Sequence, residues 1–257
     1  MLELKDIKKI YNPGLITEMC LFDGFSLTVP DGEFLSIVGS NGSGKTSLLN
    51  IICGSIPIQR GSVTVNGENI TGKKEYKRYR NFGRVYQDPA MGTCKDLTLL
   101  ENMSLADNKN RHCGLGGAVN KKRADFYKEQ LATIGLGLED KLHVRVGSLS
   151  GGQRQAAALI MATMNPIDFL ILDEHTAALD PKTADIIMEI TDRRVKEMGL
   201  TTVMVTHNLR YACEYGTRLI MMDKGQIVMD KAGAEKQNTD TKDILAMFNA
   251  ISIECGN

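Results

Sequence analysis

The sequence carries no excess of either charge: Lys plus Arg and Asp plus Glu each number 31 among 257 residues, for a formal net charge of zero. Broad attraction to nucleic acid or to an anionic lipid surface is thereby excluded, and any phosphate chemistry has to be local. No apolar run approaches the ~18 residues that a membrane-spanning helix needs, because charges interrupt every stretch. Residues 1–14 lack the uninterrupted apolar segment of a signal peptide, so the expectation is a soluble, cytoplasmic chain with no nucleic acid partner. Also missing are a CxxC pair and any metal-like cluster: Cys20, Cys53, Cys94, Cys113, Cys213 and Cys255 are scattered, as expected of passive, reduced thiols. Internal repeats, low-complexity tracts and sustained heptads are absent too, which leaves a globular domain.

What is present suits a single α/β domain. The chain is 42% hydrophobic, enough to bury a full core. Short β-rich segments at 34–38, 82–86, 169–172, 202–206, 218–222 and 226–228 alternate with helical stretches, which predicts a mostly parallel, helix-covered sheet. Residues 2–7 and 25–29, with the turn residues Pro30, Asp31 and Gly32, read as antiparallel strands beside it. Lys224-Gly225 reads as a hairpin turn. Between 88 and 158 the strand signal fades, and helical periodicity at 97–105 and 121–134 flanks a glycine-rich connector at 113–118. The expectation is a helical subdomain at 88–158 inserted into a core of 1–87 and 159–257. Residues 232–240 look turn-prone, and 243–248 could form a last short helix.

The segment Gly39-Ser40-Asn41-Gly42-Ser43-Gly44-Lys45-Thr46 satisfies GxxxxGK[ST] between an apolar strand and a helix-like run that begins at Ser47. Glycines let the backbone turn its amides toward phosphates, and the helix N-terminus adds its positive dipole end. Lys45 offers charge to the β- and γ-phosphates, and Thr46 a hydroxyl to Mg²⁺. Residues 169–174 form an apolar run ending in Asp173 and Glu174, which delivers two carboxylates to a sheet edge. Asp173 suits Mg²⁺ coordination, and Glu174 suits orienting or deprotonating an attacking water. Leu149-Ser150-Gly151-Gly152-Gln153 opens a further helix and makes a second backbone anion cradle. One triphosphate does not need two cradles unless the second serves a nucleotide held by another copy.

With that element before an apolar strand ending in Asp-Glu, the chain resembles the ATP-binding-cassette family over nearly its whole length. Gln87 matches the family's glutamine loop, Asp180 in Ala178-Leu179-Asp180 its D-loop, and His207 its switch histidine, while Tyr11 lies where the family stacks an aromatic ring on adenine. The resemblance implies ATP and Mg²⁺ as cofactors, with Thr46, Gln87 and Asp173 around the metal and Lys45, Gln87, Glu174 and His207 as the catalytic set. It implies two cassettes pairing head to tail, each phosphate loop facing Ser150, Gly151, Gly152 and Gln153 of the other copy.

Lacking a span of its own, such a cassette would work with two transmembrane permease subunits at the cytoplasmic face of the membrane. Residues 87–93 and 173–183 look like a bacterial subgroup of solute-binding-protein importers linked to uptake of amino acids, including tryptophan-like ones. His175-Thr176-Ala177 stands where most members carry Pro-Thr-Ser or Ala-Thr-Ser. The alternative from another class is a cassette ATPase acting without a transporter, as in iron–sulfur assembly.

Overall fold

The computed structural model describes residues 1–110 and 119–254, so the connector at 113–118 lies outside the described residues. The chain forms two compact units, Met1–Tyr79 with Gly199–Asn257, and Arg80–Met198. In chain order the first unit supplies β1 (Leu2–Tyr11), β2 (Met19–Val29), β3 (Phe34–Gly39), α1 (Lys45–Cys53), β4 (Arg60–Val65), β5 (Glu68–Asn69) and α2 (Glu75–Arg78). The second supplies β6 (Phe82–Val85), α3 (Leu99–Asp107), α4 (Ala124–Ala132), α5 (Gly151–Thr163), β7 (Phe169–Asp173) and α6 (Pro181–Met198). The first then resumes with β8 (Thr201–Val205), α7 (Leu209–Glu214), β9 (Arg218–Asp223), β10 (Gln226–Ala232), α8 (Gly233–Gln237) and α9 (Thr241–Glu254).

Two sheet segments organise the first unit. The antiparallel sheet runs in the order β2-β1-β4-β5. Leu2, Leu4 and Ile7 of β1 are buried, but register shifts between Leu4 and Ile7 interrupt the strict alternation. At that irregularity Asp6 has φ 51°, and Gly61 of β4 passes so close that a Cβ would lie 2.5 Å from the Asp6 carbonyl oxygen. The other segment runs β10-β9-β3-β8. All six residues of β3 are buried, and it lies parallel to both β8 and β9, which explains its largely apolar run; the buried Ser36 within it donates from Oγ to the Tyr215 carbonyl at 3.2 Å. On α1 the side chains of Leu48, Leu49, Ile51 and Ile52 are at most 1% exposed. Each such side chain contributes about 1.5–3 kcal/mol of burial and fixes the helix that follows the phosphate loop.

The second unit pairs β6 parallel to β7, from Phe82 opposite Phe169 to Val85 opposite Leu172. The helical stretch expected at 88–158 lies within this unit, together with those strands and α6. The Tyr127 hydroxyl donates to Asp107 Oδ2 at 3.1 Å, joining α4 to α3. Arg194 on α6 donates to Thr163 Oγ1 at 3.2 Å and to Gln130 Oε1 at 2.8 Å, tying α6 to α5 and α4. Among the described residues no helix is long and apolar enough to cross a membrane.

Candidate nucleotide site

In the first unit, β3 ends at Gly39 and α1 starts at Lys45. Its N-cap is Gly44, at φ 107° and with no side-chain cap, so no side chain competes for the first amides of the helix. Gly39 and Gly42 also have positive φ, 155° and 80°. Lys45 is 5% exposed and donates from Nζ to the carbonyls of Gly39 at 2.8 Å and Ser40 at 2.9 Å. Asn41, Gly42 and Thr46 are exposed, whereas Ser43 is buried and its Oγ has no hydrogen-bond partner among the described residues. A phosphate oxygen would satisfy that orphaned hydroxyl.

The β9–β10 hairpin braces this loop. Lys224 and Gly225 have φ 42° and 77°, the positive pair that a two-residue type I′ turn requires. From that hairpin, Asp223 Oδ1 accepts from Ser40 Oγ at 3.1 Å and the Gly225 amide donates to the Ser43 carbonyl at 3.0 Å. Tyr11 comes to the same place: its hydroxyl donates to Ser47 Oγ at 2.9 Å, with Lys9 Nζ 4.7 Å from its ring centroid. The amide of Thr206 donates to the Ile37 carbonyl at 3.2 Å, which sets the exposed His207 at the same sheet edge as the phosphate loop.

In the second unit, Asp173 closes β7. Arg84, on the neighbouring β6, donates from Nη2 to Asp173 Oδ2 at 2.7 Å and lies 4.6 Å from the Tyr86 ring centroid. Glu174 has φ 48°, a left-handed backbone that a non-glycine residue seldom adopts. His175 is 2% exposed, and burial pushes its imidazole down to about 4, so it is neutral at ordinary pH. Gln87 is exposed, and its loop is held on both sides: Gln155 Nε2 donates to the Tyr86 carbonyl at 2.9 Å, and Asp88 Oδ1 accepts from the Ala90 amide at 2.9 Å. Asp180 Oδ1 accepts from the Thr183 amide at 3.1 Å, and hydrogen bonds from Thr183 hold its carboxyl below the usual range.

Ser150 caps α5 in a reciprocal box, its Oγ accepting from the Gln153 amide at 3.2 Å while Gln153 Oε1 accepts from the Ser150 amide at 3.3 Å. The Gln153 side chain also accepts from Lys141 Nζ at 3.2 Å and donates to the Leu136 carbonyl at 3.2 Å. Gly151 sits against Leu179, and Gly152 is packed so tightly that a Cβ would meet Thr183 Cγ2 at 2.2 Å.

The first unit thus gathers Tyr11, the phosphate loop and His207, and the second gathers Gln87, the Ser150 to Gln153 loop, Asp173, Glu174 and Asp180. Arg84 and Gln155 were not singled out from the sequence. The only signal for Arg84 was a charge inside an otherwise apolar strand run. The hydroxyl of Thr46, the amide oxygen of Gln87 and the carboxylate of Asp173 are hard oxygen donors of the kind Mg²⁺ takes alongside phosphates.

Comparison with known proteins agrees with this chemistry. The model of the ABC transporter family matches residues 22–177. The chain is 44% identical over 248 residues to the tyrosine transport ATP-binding protein of Clostridioides difficile (strain R20291), covering 96% of this chain and 98% of that one. The ATP-binding cassette MJ0796, solved as a dimer in a post-hydrolysis state with ADP and Pi, superposes with a TM-score of 0.76 at 30% identity, over 90% of this chain and 98% of that one. The ADP conformation of the cassette MJ1267 gives a TM-score of 0.80 at 25% identity, over 100% and 99% of the two chains. The fold is therefore the α/β P-loop cassette, and the alternative of an ATPase without a transporter is set aside. The chain belongs to the ABC transporter family, as an ATP-binding subunit that hydrolyses ATP with Mg²⁺ as cofactor.

Proposed function

We propose that the chain energises import of an amino acid, with aromatic ones such as tyrosine or tryptophan foremost, through two separate membrane-spanning subunits fed by a solute-binding protein. It works at the cytoplasmic face of the cell membrane as one of two cassettes, most simply identical copies, that close on ATP. The observation that carries the solute class is the 44% identity, over 96% of the chain, to a protein named for tyrosine transport. The cassette itself does not touch the solute, so its own residues act on ATP alone.

In this reading Tyr11 stacks on adenine, and Gly39 to Ser47 hold the triphosphate. Lys45 releases its loop carbonyls to face the β- and γ-phosphates. Thr46, Asp173 and Gln87 hold Mg²⁺, which supplies charge neutralisation at the phosphate oxygens. Glu174 accepts a proton from the attacking water, and His207 and Gln87 help to orient that water. Ser150, Gly151, Gly152 and Gln153 face the partner copy's ATP, and Asp180 lies at the seam between copies. Residues 88–158 form the helical subdomain that docks on the membrane subunits, with 1–87 and 159–257 as the catalytic core.

The test is uptake into vesicles holding the chain, its two membrane subunits and internal ATP, with the solute-binding protein outside. Labelled tyrosine and tryptophan should accumulate, and Glu174→Gln should keep ATP binding while abolishing accumulation. Failure to take up either amino acid while another class of solute enters would overturn the solute assignment, and ATP-driven loss of preloaded amino acid would overturn the direction.

A further inference from the structure

His175 follows Glu174, and nothing in the site as assigned above gives it a task. Its surroundings are specific. The hydroxyl of Thr191, in the middle of α6, donates its single proton to the Ile187 carbonyl at 2.7 Å. Thr191 Oγ1 therefore meets His175 Nε2, 3.2 Å away, with lone pairs only, and the imidazole must be the tautomer that carries its proton on Nε2 and donates it. Both groups are buried, at 2% and 0% exposure, so the bond is shielded from water and costly to leave unmade.

The residue beside this bond is under strain. A left-handed backbone at a non-glycine residue costs about 1–2 kcal/mol and persists only where its neighbours over-determine it. Before Glu174 the constraint is β7, paired with β6 from Phe169 to Leu172 and held at Asp173 by Arg84. Behind it the chain turns at once, the Ala177 amide donating to the Glu174 carbonyl at 2.9 Å and the Leu179 amide to the Thr176 carbonyl at 3.2 Å. Ala177 is exposed, and Thr176 is buried. His175 fastens the start of the turn to α6 through Thr191, as Asp180 fastens its end through the Thr183 amide.

We propose that His175 is a positioning residue for Glu174: by donating to Thr191 it clamps the turn and keeps the Glu174 carboxylate aimed for its work on water. The proposal rests on the reading of Glu174 as the group that receives the water's proton. The phosphate loop is held by its own carbonyls and by the β9–β10 hairpin, so loosening the clamp should slow turnover and leave nucleotide affinity intact.

The experiment compares the full-length chain with His175→Ala, His175→Gln, Thr191→Val and Thr191→Ser, reading kcat, KM, ATP affinity and Tm, with Glu174→Gln as reference. His175→Ala should lose about tenfold or more in kcat with KM and ATP affinity within about twofold. His175→Gln, whose amide can donate to Thr191, should recover most of that loss. Thr191→Val should reproduce it in part, and Thr191→Ser should not. A folded His175→Ala that turns over at the wild-type rate while Glu174→Gln is inactive would sink the clamp but spare the Glu174 reading. Wild-type turnover by Glu174→Gln would sink the Glu174 reading itself. A kcat loss that follows Tm and is not rescued by glutamine would reduce His175 to packing. Should His175→Ala not fold, the Thr191 pair decides, and equal kcat in valine and serine would overturn the proposal.

Discussion

Two loops of this molecule open a helix through glycine, at Gly44 before α1 and at Gly151 and Gly152 in α5, and the glycines serve different ends. In the phosphate loop Gly39, Gly42 and Gly44 hold positive φ, and the helix that follows has no side-chain cap. No capping side chain closes its first turn, and its lysine donates to the loop's own carbonyls. In the second loop neither glycine has positive φ, and the helix start is closed by the reciprocal bonds of Ser150 and Gln153. There glycine serves close packing, against Leu179 and Thr183. A motif of small residues before a helix can thus mean an open anion cradle or a finished cap, and backbone torsion together with capping tells them apart.

Adding one methyl group to each loop should expose that difference. Gly39→Ala is expected to have the largest effect, because its Cβ would lie 2.3 Å from the Met222 carbonyl oxygen, a backbone atom that cannot swing away. Crowding plus left-handed strain should cost at least about 3 kcal/mol in urea unfolding, and no second-site side-chain change should restore it. Gly152→Ala meets only the Thr183 methyl group. The loss should be about 1 kcal/mol, since alanine's better helix propensity offsets part of the clash, and it should vanish in the double variant with Thr183→Ser. Equal losses at the two sites, or a Gly152→Ala loss that Thr183→Ser leaves untouched, would break the comparison.

The phosphate loop and the Lys224-Gly225 hairpin were legible in the sequence because their conformations follow from local glycine placement. Strand ends were less legible. The sequence placed the early strands at 2–7 and 25–29, yet β1 and β2 run Leu2–Tyr11 and Met19–Val29, because bulges break the period on which the reading relied. The sequence signal is weak for β4, whose Gly61, Ser62 and Thr64 dilute its two valines, and α6 escapes it too, although Ala184, Ile187, Met188, Thr191 and Val195 line its buried face. The contact of Arg84 with Asp173 could not be seen at all. It joins residues 89 apart in sequence and exists only once β6 and β7 are in register. The bond from His175 to Thr191 was hidden for the same reason, since it needs α6 in place.

The smallest expected effect separates the two possible duties of Ser150. Its oxygen accepts from the Gln153 amide through a lone pair, and its proton remains free to be donated to a phosphate without breaking the cap. Ser150→Ala removes both functions, so stability should fall by about 1 kcal/mol and ATP turnover should fall with it. Ser150→Asp retains a good N-cap acceptor and adds a charge that favours a helix start, so unfolding should match wild type to within about 0.5 kcal/mol. The same charge would face the triphosphate of the partner copy and should stop turnover, while ATP affinity at protein concentrations too low for pairing stays unchanged. An aspartate variant that is stable and hydrolyses ATP normally would leave Ser150 a helix cap alone, and the second loop would then be finished in both senses, with no nucleotide to meet.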